Sequence, residues 1–181
     1  MYSIKYTQIK NHRIYLFVTI VFFLFTKNVI NAQSIEQKAM AKLSFMIGDW
    51  KGEGKYLNQN KEWESYSVLT KVYYDLTGEL LVLKLRSVKD GKPLLSLHTV
   101  IQYDKEKDSY TYIPLTGKGT PNQYKGEVKG KTLTIWASEE RRFIFRNTDN
   151  GEFNEYGENL VNGIWQKNFE DIMLPTTEIR F

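Results

Sequence analysis

The sequence predicts an all-β fold, a single antiparallel up-and-down β-barrel of about ten strands with a short N-terminal helical plug. Three observations predict it. Short runs rich in aromatic and β-branched residues follow one another from Gly48 to Asp171 with turn residues between them. Nearly every run alternates apolar with polar residues, and only one helical pattern precedes them. A long series of hairpins leaves unpaired edges unless it closes on itself, which argues for a barrel.

The helix begins at Ser34. Ser34 and Gln37 have capping-box spacing, Ile35, Ala39, Met40 and Leu43 form an apolar stripe, and Gly48 ends the pattern. Strands are expected at 48–56, 63–74, 79–88, 94–103, 110–115, 123–128, 132–137, 141–146, 152–158 and 164–171. Asp90-Gly91 and Asn162-Gly163 are strong two-residue turn signals between them.

Alternation assigns the inward faces. Leu81, Leu83 and Leu85 oppose Lys84 and Arg86, while Leu95, Leu97, Thr99, Ile101 and Tyr103 oppose Ser96, His98 and Gln102. Phe143 and Phe145 oppose Arg142 and Arg146, and Trp165 and Phe169 oppose Gln166 and Asn168. Tyr66 and Tyr74 also fall on inward faces. Ten strands enclose more space than their side chains need, so an internal cavity is expected; a flattened, filled interior is the alternative.

Residues 1–32 carry Lys5, Lys10, Arg13 and Lys27 but no acid, and Ile14 to Phe25 is apolar except for Thr19. That is a basic segment followed by an apolar run shorter than the roughly 20 residues that span a bilayer. It is expected to be a signal peptide cut after Ala32, with an uncleaved N-terminal anchor as the alternative. Residues 33–181 then form one secreted or periplasmic barrel domain, with no stable membrane insertion after cleavage. The formal charge of +4 lies wholly in that first segment. A neutral body lacks the basic footprint that nucleic acid requires. The absence of cysteine excludes zinc ribbons, thiol redox sites and disulfides.

Gly48-Asp49-Trp50-Lys51-Gly52-Glu53-Gly54 is the most informative stretch. A short helix running into Gly-x-Trp on a first strand resembles the calycin superfamily of lipocalins, fatty-acid-binding proteins and relatives. The longer Gly-x-Trp-x-Gly-x-Gly is similar to the start of nitrobindin-type barrels. The rest resembles a bacterial lipocalin-like family of uncharacterised function, domain of unknown function 1579. That likeness lies in Leu76-Thr77-Gly78-Glu79-Leu80-Leu81, Gln102-Tyr103-Asp104 and Gly117-Lys118-Gly119-Thr120. The resemblance implies a structural role for Gly48, Trp50, Gly52 and Gly54, with Trp50 filling one barrel mouth. It also implies an arginine packed across that tryptophan, for which Arg180 is the nearest candidate. Nitrobindin-like proteins hold haem through a histidine on a late strand, but the segment from Arg141 to Asp171 has none. His98, on a polar face at mid-chain, and Tyr156 are the substitutes the sequence offers.

No catalytic or metal site is assigned. Asp104-Lys105-Glu106-Lys107-Asp108 spaces carboxylates like a calcium loop, but Ser109 and Leu115 stand where glycine and glutamate are needed. Gly130-Lys131-Thr132 lacks the first glycine of a phosphate loop, at Lys125, and a strand follows it. The expected function is binding or carrying a small hydrophobic or amphipathic molecule inside the barrel. Tyr66, Leu83, Leu97, Thr99, Tyr103, Phe143, Phe145 and Trp165 are the expected lining. Arg141 either anchors a ligand carboxylate or escapes to water at the rim. The alternatives are a haem enzyme of isomerase type, which needs His98 or a tyrosine pointing inward, and a surface binding module with a filled barrel.

Overall fold

A computed structural model describes residues 33–117 and 119–177, and the part from Ser34 onward forms one compact unit. The segment expected to be a signal peptide, Lys118 and Arg180 lie outside the described residues. Helix α1 (Ile35–Ala41) and a 3-10 turn (Ser44–Met46) precede ten strands. These are β1 (Gly48–Leu57), β2 (Trp63–Tyr74), β3 (Leu80–Lys89), β4 (Lys92–Asp104) and β5 (Ser109–Leu115). Then come β6 (Tyr124–Lys129), β7 (Thr132–Ser138), β8 (Arg141–Asn147), β9 (Phe153–Val161) and β10 (Ile164–Pro175). Each strand pairs antiparallel with its neighbours in sequence, and β1 pairs with β10 to close the barrel. All ten expected strands form. Asp90-Gly91 and Asn162-Gly163 have positive φ at both residues, the two-residue turn that matches the strand twist.

Seven residues make too short a helix to persist alone. Capping and the barrel hold α1. The Gln37 amide donates to Ser34 Oγ at 3.0 Å, and the Ser34 amide donates to Gln37 Oε1 at 2.9 Å. From the barrel, the Tyr74 hydroxyl donates to the Met40 carbonyl at 2.8 Å and that of Tyr110 to the Ala39 carbonyl at 2.7 Å. Met40, Leu43 and Met46 are fully buried and seal this end.

The glycine-tryptophan segment packs against the 3-10 turn and the late strands. Gly48, at φ 150°, turns the chain into β1 against the Trp50 indole. The indole N–H donates to the Met46 carbonyl at 2.9 Å, and the ring stacks on Phe153 at 5.2 Å. Phe153 in turn stacks on Phe145. The end of the barrel next to α1 is therefore solid.

Three irregularities shift the register of the ladders toward the other end. They lie between Ser87 and Val88, between Trp136 and Ser138, and between Lys167 and Phe169. Each inserts a residue and sharpens the local twist.

Candidate functional site

Beyond the solid half the barrel is hollow, with a cavity of about 560 Å³. Tyr56 and Tyr66 line it from β1 and β2, Leu85 and Ser87 from β3, and Leu94, Leu95 and Leu97 from β4. Opposite them stand Tyr112 and Pro114 of β5, Tyr124 of β6 and Ala137 of β7. Arg141 and Phe143 of β8, Glu155 of β9, and Phe169 and Asp171 of β10 complete the wall. Leu94, Leu95, Thr116 and Arg141 are exposed, so this is the end at which the cavity meets the surface.

The expected lining separates into three groups. Tyr66, Leu97, Arg141 and Phe143 border the cavity. Leu83, Thr99 and Phe145 point inward but are fully buried below it. Thr99 supports the wall indirectly, its Oγ1 lying 3.4 Å from the Tyr112 hydroxyl. Tyr103 sits at the helix end, its hydroxyl donating to Asp108 at 2.5 Å across the β4–β5 turn.

Trp165 is a correction, because it lies on the outer face. The extra residue at Asn168 breaks the alternation between Lys167 and Phe169, so Phe169 faces inward while Trp165, opposite Leu160, does not. Outside, Trp165 meets Trp136 edge to face at 6.0 Å and carries the Arg142 guanidinium 4.1 Å above its ring. Arg142 completes the cluster with an ion pair to Glu158 at 2.7 Å.

Arg141 reaches the rim. It is exposed and lies 5.2 Å over the Phe143 ring, so it keeps its charge in water while covering apolar surface. Across the mouth, the Tyr56 hydroxyl donates to Glu64 at 2.7 Å, and Glu64 pairs with Lys89.

Two carboxyl groups missed by the sequence reading occupy the inner wall. Glu155 and Asp171 are opposite each other across β9 and β10, and both are buried. Opposed residues of this kind hold their Cβ atoms about 5 Å apart. The Tyr66 hydroxyl donates to Asp171 Oδ1. It reaches over Gly54, the residue opposite both Tyr66 and Asp171, where a Cβ would fall on the ring and on the carboxylate. Glu155 Oε2 is buried without a hydrogen-bond partner. Among the described residues no ion pair reaches either acid.

Burial raises the pKa of both groups. For Glu155 the charge of Asp171 adds to the rise. Asp171 is pushed up to about 7, mainly by burial and against the lowering effect of the Tyr66 hydrogen bond. Two buried carboxyls this close favour a state that keeps a proton on the pair.

The substitutes considered for haem do not face the cavity. His98 is exposed, opposite Lys84 on the outer surface. Tyr156 also lies outside, beneath Lys167 at 4.4 Å and Arg146 at 5.4 Å. Among the described residues no three His, Asp or Glu side chains are grouped to hold a metal ion. Nor is any helix among them long and apolar enough to cross a membrane.

Neither a protein-family model nor a curated protein sequence matches this chain. Among solved structures it is similar to Rv2717c from M. tuberculosis, with a TM-score of 0.55 and 14% identity. The match covers 79% of this chain and 98% of that one. At that identity the likeness shows the barrel fold and nothing finer.

Proposed function

We propose that the protein binds or carries a small hydrophobic or amphipathic molecule in the open half of its barrel. The cavity carries this reading: about 560 Å³, walled mainly by leucine and aromatic side chains and reaching the surface at one rim. Small-molecule sites have this size, apolar lining and sparse polar groups. A filled barrel acting only through its outer surface would need an interior without such a space. Export of the chain and membership of the lipocalin-like family belong to the same proposal. Export rests on the apolar run at 14–25, and the family on residues 76–81, 102–104 and 117–120 beside the calycin-like start at 48–54.

Native mass spectrometry of the purified protein, with titration by the fluorescent probe N-phenyl-1-naphthylamine, tests the function. A mass that leaves on denaturation, or saturable probe binding, is expected. Leu97→Trp fills the cavity and should weaken the probe by about tenfold or more. Leu76→Trp, in a fully exposed turn, should not. A bare mass together with no probe binding would sink the proposal.

A further inference from the structure

The inner acids have the wrong company for a purely apolar pocket. A buried carboxylate is costly unless it is paired and hydrogen-bonded, yet one oxygen of Glu155 has no partner at all. The cations near the mouth are engaged at the rim, Lys89 with Glu64 and Arg141 over Phe143. We infer that the ligand of this cavity is an amphipathic amine, which seats its cationic nitrogen on Glu155 with Asp171 behind it. The inference rests on the binding function proposed above and names the chemical class of the ligand.

Three features of the wall fit a cation. Tyr66 has committed its proton to Asp171, and Glu155, whose Oε2 is buried without a partner, belongs to the wall of the cavity. Tyr112 and Phe169 border the same cavity, and aromatic rings attract a positive charge. An ammonium would also supply the countercharge that two opposed acids lack. Without ligand, the pair keeps a proton. When an ammonium arrives, Glu155 becomes a carboxylate and one proton leaves to solvent, with no bond made or broken in the ligand.

The pH dependence follows from that exchange. The titratable groups around Glu155 are Asp171 of β10, Tyr66 of β2 and Tyr112 of β5, with Arg141 of β8 at the rim. An alkylamine stays charged well above neutrality, as lysine does at about 10.4. Between about pH 5 and pH 8, therefore, the acid pair is what changes state among these groups, and amine affinity should rise with pH.

The experiment is displacement of N-phenyl-1-naphthylamine by n-octylamine, octan-1-ol and octanoate, with the pH varied. At neutral pH octylamine should compete about tenfold better than either analogue, and its advantage should grow with pH. Glu155→Gln should abolish that preference, octylamine then competing no better than octan-1-ol. If that variant does not fold, the wild-type pH series and Asp171→Asn decide the matter. Equal competition by the three compounds overturns the inference but not the binding function. So does a preference for octanoate, which would place the anchor at Arg141. Affinity that falls with rising pH also overturns it, because a neutral Glu155 would then be donating to a ligand acceptor. If neither the probe nor any of the three binds, the binding function falls as well.

Discussion

Gly54 is where one missing side chain decides an interior contact. Its partners across the two ladders are Tyr66 and Asp171, and the space a Cβ would take is already filled by their hydrogen bond. Gly54→Ala should therefore destabilise the barrel by about 1–3 kcal/mol, read from the urea midpoint. Asp171 yields a second prediction. Its carboxyl titrates near 4 when unfolded and higher when folded, so the folded state holds a proton that the unfolded chain releases first. This contribution to stability is complete below about pH 4 and is lost as the pH rises through the folded value. Asp171→Asn, whose amide oxygen still accepts from Tyr66, should stabilise the protein at about pH 8 and have little such effect near pH 4; melting temperatures at the two values check it. These acids were within reach of sequence reading. Glu155 shares its face with Phe153 and Asp171 shares its face with Phe169. What alternation does not show is that the carboxyls stay buried, because that depends on Gly54 and on the closure of β1 onto β10.

Within single elements, β10 shows how far periodicity can be trusted. Its alternation holds from Phe169 to Met173, and the residue inserted at Asn168 reverses the faces of everything before it. Gly157 makes this possible from the partner strand, since a Cβ there would run into the Phe169 ring and, at 2.7 Å, Asn168 Oδ1. No residue type marks such an insertion in advance, so Trp165 was misplaced while Phe169 was not. Trp165→Ala should leave N-phenyl-1-naphthylamine affinity within about twofold, whereas Phe169→Ala should change it by about fivefold or more; the contrast is read from paired titrations. Helix α1 was easier to read because its signal is local. Ser34 and Gln37 satisfy each other's backbone amides, and the same side chains donate onward to Glu79 and to the Thr77 carbonyl. Ser34→Ala should accordingly lower stability by about 1 kcal/mol in denaturant unfolding.

For the whole molecule, the question of a filled or hollow interior has a divided answer. Alternation identifies the inward face of a strand but not depth along the barrel. Leu83 and Phe145 were therefore grouped with Leu97 and Phe143, although the first two belong to the packed half. The ten strands and their order followed from turn residues and period-two patterning, which are properties of neighbouring residues. The boundary between core and cavity depends instead on which side chains meet across the barrel. The two halves should respond differently to truncation. Phe145→Ala removes a fully buried ring stacked on Phe153 and should cost about 3–5 kcal/mol. Leu97→Ala borders space that already exists and should cost clearly less, by the same unfolding measurement.

The seal made by Met40, Leu43 and Met46 has a kinetic consequence. A tube stopped at one end has no through-flow: whatever enters must leave by the way it came, and the water it displaces must pass it in the same neck. For the binding function proposed here, turnover of the ligand would then be set by its own departure, at a rate that an incoming competitor, however concentrated, does not hasten.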